Sequence, residues 1–424
     1  MATYRPRILD AELDALFAEL PAIALHGPKG VGKTSTAKRR ATTVLALDDD
    51  DQRRIVSAAP ERIATLPPPV LLDEWQRLPG VWDRVRRAVD DDPTPGRFLL
   101  TGSAAPAHAP VHSGAGRIVD LRMRPLSLAE RGLGPTTVSL AELLTGARSP
   151  VEGRTDVNLA DYVDEILRSG LPAVREYSVR ARRAQLDAYL RAVVTHELTD
   201  AEVVVRRPAA LMAWLTAYAA ATSTTASYET ILAAATPAEG SKPTKVTATG
   251  YREVLTQLWL LDPVPAWVPS RRPLARLGQA PKHQLADPAL AARLLGATAS
   301  SLLAGDEQSP RVPRDGPLLG TLFEHLVTLS VQVYAQAAEA RVHHLRTHRG
   351  EHEIDIVVVR DDGRVLAIEV KLTAAPDDAD VRHLRWLRER IGSDLVDAVV
   401  ITTGREAYRR EDGIAVVPAA LLGA

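Results

Sequence analysis

Gly27-Pro28-Lys29-Gly30-Val31-Gly32-Lys33-Thr34, entered from the apolar run Ile23-Ala24-Leu25, is the stretch that decides the fold. Its spacing of glycine, glycine-lysine and threonine is that of a loop that wraps phosphate groups. Glycine lets backbone N–H groups curl around an anion where a side chain would block the approach. Lys33 is placed to reach the β- and γ-phosphates, and the Thr34 hydroxyl to ligate Mg2+. The helix expected from Gly32 onward, through Ser35-Thr36-Ala37-Lys38, turns its positive end to the same anion. Gly27, Pro28, Lys29, Gly30, Val31, Gly32, Lys33, Thr34 and Ser35 are therefore the expected binding set for ATP, with Mg2+ as cofactor.

Outward from the loop, strand-like runs recur at 23–25, 43–47, 70–72 and 98–100, with helix-compatible sequence between them. This alternation predicts an α/β domain with a parallel sheet over residues 1 to about 150. Val70-Leu71-Leu72-Asp73-Glu74 is a strand ending in two acids. Asp73 is expected to hold Mg2+ and Glu74 to polarise an attacking water; a helix N-cap at Asp73 fits the same residues. Phe98-Leu99-Leu100-Thr101-Gly102-Ser103 is a second strand running into a polar turn. There Thr101, ahead of Ser103, is expected to sense the γ-phosphate. Asp48-Asp49-Asp50-Asp51 reads as a solvated helix start.

These motifs, with Ser113-Gly114-Ala115-Gly116-Arg117 and Leu121-Arg122-Met123-Arg124-Pro125-Leu126-Ser127-Leu128, resemble the prokaryotic family of AAA-type ATP-binding proteins that carry a C-terminal domain called DUF4143. The resemblance puts Arg117 where a γ-phosphate-directed arginine falls, in cis or from a neighbouring subunit; a plain surface arginine fits equally. It also implies a short turn at Gly170-Leu171-Pro172, with leucine in place of an aromatic. Pro281-Lys282-His283-Gln284-Leu285-Ala286-Asp287 matches the strand that leads to the last domain, and no role follows for Lys282.

Composition narrows the setting. With no cysteine, disulfides, Cys-ligated zinc and thiol catalysis are excluded. A net charge of −1 argues against an overall basic nucleic-acid binder and leaves room for local patches. No uninterrupted apolar run of about 18 residues stands out, so a cytoplasmic protein with no membrane partner is expected. Of 52 basic residues only seven are lysine, at 29, 33, 38, 242, 245, 282 and 371. Arginine is the default cation, so a lysine inside a motif suggests a need for a compact ammonium.

Residues 151–308 read as a helical region. Tyr228–Ala235 and Lys245–Trp259 would form the paired helices of a winged helix, with the wing starting at Val264. Lys242, Lys245, Arg271, Arg272 and Arg276 around them suggest DNA contact through phosphates; a protein-docking role fits the same pattern. In residues 309–424, a helix from Gly320 is followed by strands Glu353–Val359 and Val365–Lys371 joined at Asp361-Asp362-Gly363, a hairpin. Glu369 and Lys371, two apart on a strand, leave the same face. The pattern Asp355, Glu369, Lys371 resembles the PD-(D/E)xK nuclease fold, which implies those residues as catalytic, with Glu324, Asp355 and Glu369 binding metal. A structural Glu–Lys pair, or a fold that binds without cutting, is compatible with the same residues. Two functions follow: an ATPase coupled to a DNA-directed nuclease-like module, or a nucleotide-dependent switch that binds DNA or protein without cutting. ATP and ADP are the expected small partners, and an oligomer completed by a neighbour's arginine is compatible with either.

Overall fold

The computed structural model describes residues 4–103, 114–197, 208–235, 243–268, 279–303, 316–347 and 350–424. Ser113, Lys242, Arg271, Arg272 and Arg276 lie outside them. The first sheet holds β1 (Ala22–His26), β2 (Thr43–Ala46), β3 (Val70–Asp73), β4 (Phe98–Gly102) and β5 (Val119–Arg122), in the order β2-β3-β4-β1-β5. All its pairings are parallel. Because side chains alternate along a strand, Ile23 and Leu25 enter one core while Ala22 and Ala24 enter the other. Helix Leu9–Phe17 covers the first face; Gly80–Asp91, through Trp82, Val85 and Val89, covers the second. Burial on both faces is why these strands read as continuous apolar runs.

Between β5 and the last domain the chain adds β6 (Val138–Ser139) and β7 (Gly153–Arg154). Neither joins the first sheet, although β6 falls inside the expected 1–150 domain and β7 just beyond it. The C-terminal domain contributes β8 (Arg341–Arg346), β9 (Glu353–Val359), β10 (Val365–Val370), β11 (Leu395–Thr402), β12 (Glu406–Arg409), β13 (Ala415–Pro418) and β14 (Leu422–Gly423). Their seven-stranded sheet runs β7-β12-β13-β11-β10-β9-β8, and β6 pairs with β14. Short strands with little periodicity of their own are placed by the partner edge they complete.

The β9–β10 hairpin forms as the sequence predicts, with Gly363 N–H donating to Arg360 O at 2.9 Å. β8 and β10 flank β9 antiparallel, and β11 runs parallel to β10. Helix Gly316–Ala337 covers one face of this sheet and Arg382–Ile391 the other. The 22-residue helix Gly316–Ala337 has a window apolar enough to cross a membrane, which reading for uninterrupted runs missed, yet 72% of that window is buried inside the protein. The largest core cluster runs from Leu9 to Leu422 through all three regions.

The middle region has helices Pro208–Ala220, Tyr228–Ala234 and Lys245–Gln257. Beyond them Leu261 pairs with Leu285 and Val264 with Lys282 in an antiparallel bridge. Lys245 is exposed and pairs with Glu229 at 2.9 Å.

Candidate functional site

Three glycines of the first loop, Gly27, Gly30 and Gly32, have positive φ. At Gly27 (φ 154°) a Cβ would lie 2.1 Å from the Met123 carbonyl oxygen, so the loop closes onto the end of β5 only with glycine there. Gly32, at φ 107°, precedes helix Lys33–Lys38. The Lys33 ammonium donates to Gly27 O at 2.8 Å and Pro28 O at 3.0 Å, lying across the loop it would leave for a phosphate. Arg7, buried, braces the loop from outside by donating to Val31 O at 3.0 Å.

At the tip of β3 the Thr34 hydroxyl donates to Asp73 Oδ1 at 2.7 Å. Thr101 lies beside Asp73 in register and donates to the same oxygen at 2.5 Å. Thr101 is wholly buried, so it positions Asp73 rather than facing a γ-phosphate as expected. Just past the end of β4, Ser103, also buried, donates to Glu74 Oε2 at 3.1 Å. Gln76 donates to the same Glu74 oxygen and to Ser103. Glu74 sits at φ 54°, a conformation that costs a non-glycine residue on the order of 1 kcal/mol and gathers at functional sites. The loop opens into a cleft of about 1000 Å³, lined by Tyr4, Arg7, Lys29 to Thr36, Arg39, Glu74, Met123 and the turn Pro172–Tyr177.

One glycine that a Cβ would clash with, two more at positive φ, a lysine beside the cradle and a hydroxyl–carboxylate pair at its mouth fit a triphosphate and Mg2+. Arg117 does not join them. Its guanidinium pairs with Asp90 at 2.8 Å, half exposed and outside the cleft lining, where the arginines present are Arg5, Arg7 and Arg39.

Behind the loop, Met123 N–H donates to His26 O at 2.7 Å. Arg122 and Arg124, flanking Met123, both pair with buried Asp262 of the middle region, at 2.9 and 2.8 Å. Although burial alone would raise it, Arg122 and Arg124 pull the Asp262 carboxyl down to about 2. Trp259 stacks on His26, with ring centroids 5.7 Å apart, and the Arg122 guanidinium lies over the Trp259 ring.

The second cluster lies in the C-terminal domain. Lys371 Nζ donates to Glu369 Oε2 at 2.9 Å, and Asp355 Oδ2 accepts from Val370 N–H at 2.9 Å. Lys282, from the middle region and 1% exposed, reaches in: its ammonium is 2.8 Å from Glu324 Oε1, 3.2 Å from Asp355 Oδ1 and 3.7 Å from Glu353 Oε1. Burial drives the Glu369 carboxyl well up, with Asp355 adding to it, and drives Glu324 up to about 8. Asp355 is held down against its own burial by Lys282 and Lys371.

Glu324, Asp355 and Glu369 are thus drawn together as expected. Among the described residues, however, no group of three acids or histidines is arranged to hold a metal ion. An ammonium stands between two of the expected ligands, so as arranged the residues do not fit Mg2+.

Family models match three stretches: an AAA domain over residues 19–131, a domain of unknown function, DUF8612, over 159–301, and DUF4143 over 319–422. The chain carries an AAA domain and a C-terminal DUF4143 domain. Its AAA domain implies a nucleotide partner and ATPase chemistry, usually with Mg2+. Two uncharacterized proteins, one of Mycobacterium bovis and one of Mycobacterium tuberculosis, are each 25% identical over 96% of this AAA–DUF4143 chain and 82% of their own length.

Sequence reasoning missed Arg7, Gln76, Glu353, Asp262 and, most of all, Lys282. The signal for Lys282 was in the composition: a lysine in a motif of an arginine-rich chain.

Proposed function

We propose that this protein is a Mg2+-dependent ATPase whose nucleotide cycle works as a switch on its own middle and C-terminal domains. The observation that carries this reading is the cradle: Gly27 closed against Met123 O, and Thr34 paired with Asp73 at its mouth. Lys33 leaves the Gly27 and Pro28 carbonyls for the β/γ-phosphate oxygens. Thr34 and Asp73 would hold Mg2+, which neutralises phosphate charge when bound. Thr101 fixes Asp73, while Ser103 and Gln76 aim Glu74 at the attacking water, whose proton it accepts.

A bonded path supports the coupling. Arg122 and Arg124, either side of Met123, pair with Asp262. Asp262 N–H donates to Gln284 O at 2.9 Å, and Val264 and Lys282 exchange backbone bonds of 2.9 Å in each direction. A shift of the loop–Met123 contact therefore acts on the strand that carries Lys282 into the acid cluster. Loss of phosphate release in Lys33→Ala and Glu74→Gln tests the ATPase; unchanged turnover in both would end the reading.

The second reading, a DNA-directed nuclease-like module with a winged-helix middle region, is favoured by Asp355, Glu369 and Lys371 meeting on β9 and β10 after a helix-covered antiparallel trio. The closed cluster favours switching without cutting for the form described. Plasmid nicking with Mg2+ or Mn2+, abolished in Glu369→Ala and in Lys371→Ala, would establish cutting. Mass measurement with and without ATP decides whether a neighbouring copy completes the site.

A further inference from the structure

Lys282 belongs to the middle region, yet its ammonium ends inside the DUF4143 domain. Three carboxylate oxygens, from Glu324, Asp355 and Glu353, face it at 2.8, 3.2 and 3.7 Å. The backbone on either side is fixed: Ala280 O and Leu285 O accept from His344 and His325 at 3.1 and 2.7 Å, and His283 bonds Ala226 O at 2.7 Å. On the neighbouring strand, Glu369 is 2% exposed and bonded through Oε2 to Lys371, while its Oε1 has no hydrogen-bond partner. Four carboxylates, Glu324, Glu353, Asp355 and Glu369, thus face two ammoniums, Lys282 and Lys371, and one buried carboxylate oxygen is left over. Such a group keeps its charge only beside cations, otherwise taking up protons, and oxygen-only ligands suit a hard divalent one. The ammonium is the most compact cation a side chain can offer, which a guanidinium is not.

We propose that Lys282 is a clasp: it occupies the seat a divalent cation would take in the C-terminal cluster, so the domain is metal-free while the middle region is docked and an ammonium does the work of the ion. This stands apart from the ATPase reading, because it concerns metal and stability without nucleotide. The assignment also explains why a cluster with nuclease-like residues lacks a metal-holding arrangement.

The test uses the full chain, without nucleotide, with Mn2+ followed by electron paramagnetic resonance and by thermal melting. Wild type should bind no Mn2+ that Asp355→Asn removes, and its melting temperature should not depend on Mn2+. Lys282→Met should melt several degrees lower in chelator, recover as Mn2+ is raised, and bind about one additional ion per chain. That additional ion should vanish in Lys282→Met/Asp355→Asn. If wild type binds Mn2+ in an Asp355-dependent manner, the clasp is overturned. It is equally overturned if Lys282→Met, folded or not, gains neither an ion nor stability from Mn2+. Loss of ATP binding in the same samples would bear on the nucleotide site and leave these outcomes intact.

Discussion

The nucleotide loop and the C-terminal acid cluster are built from similar parts and arranged in opposite ways. Each has a lysine and carboxylates near strand ends. In the loop, Lys33 leans on neutral carbonyls, Asp73 is held by two hydroxyls, and a cleft of about 1000 Å³ stands in front. In the cluster, Lys282 and Lys371 are bonded directly to carboxylates, and Lys282 and Glu369 are buried. A lysine on neutral acceptors is released at little electrostatic cost when an anion arrives. A lysine among buried carboxylates is retained, because its departure leaves charge uncompensated. Residue type alone therefore does not separate a ligand site from a closed joint; the partner of the ammonium does.

The largest effect should come from the open site. Lys33→Ala is expected to lower ATP turnover by about 100-fold or more while the melting temperature hardly moves, as read by phosphate release and calorimetry. A comparable loss of stability would make Lys33 a structural residue like Lys282 and erase the contrast. Asp262→Asn removes the charge that Arg122 and Arg124 share, so a stability loss of about 3 kcal/mol is expected in denaturant melts. An unchanged midpoint would sever the link between the two regions.

Acid should act on the closed region first. Burial lowers His325 and His344 to about 4, from the ordinary 6.5. The unfolded chain then binds more protons between those values, so stability is lost as pH falls from about 6.5 toward 4. The expected loss is on the order of 2 kcal/mol per histidine by pH 5. Asp262, depressed to about 2, contributes stability that persists above pH 4 and disappears only as pH falls through its folded value. A melt series from pH 7.5 to 4.5, flattened in His325→Gln and in His344→Gln, would support this order. The smallest effect belongs to Arg117→Ala, whose half-exposed pair with Asp90 contributes under about 1 kcal/mol. Turnover should be unchanged; a marked fall would return Arg117 to a neighbour's site.

Much of the first region was legible because its chemistry is local. Loop, helix and the Asp73–Glu74 strand end sit in consecutive residues, and glycine spacing reports backbone conformation directly. The β9–β10 hairpin was legible for the same reason. Both hydroxyls are buried, Thr101 on Asp73 and Ser103 on Glu74, because β4 lies beside β3 in register, a pairing that the sequence does not announce. Arg117 fell away from the cleft because a motif position carries no direction in space. Lys282 joins acids 42 and 73 residues downstream, and only tertiary packing makes that neighbourhood. The destination of 138–154 was hidden too, since its short strands are defined by edges far along the chain.

Helix Gly316–Ala337 carries a consequence for biosynthesis. It leaves the ribosome before β8 to β13 of the sheet it covers, oily along most of its length. For that interval it presents the surface that chaperones and membrane-insertion machinery recognise. Slowing translation just after Ala337 should therefore lengthen its exposure and lower the yield of native protein.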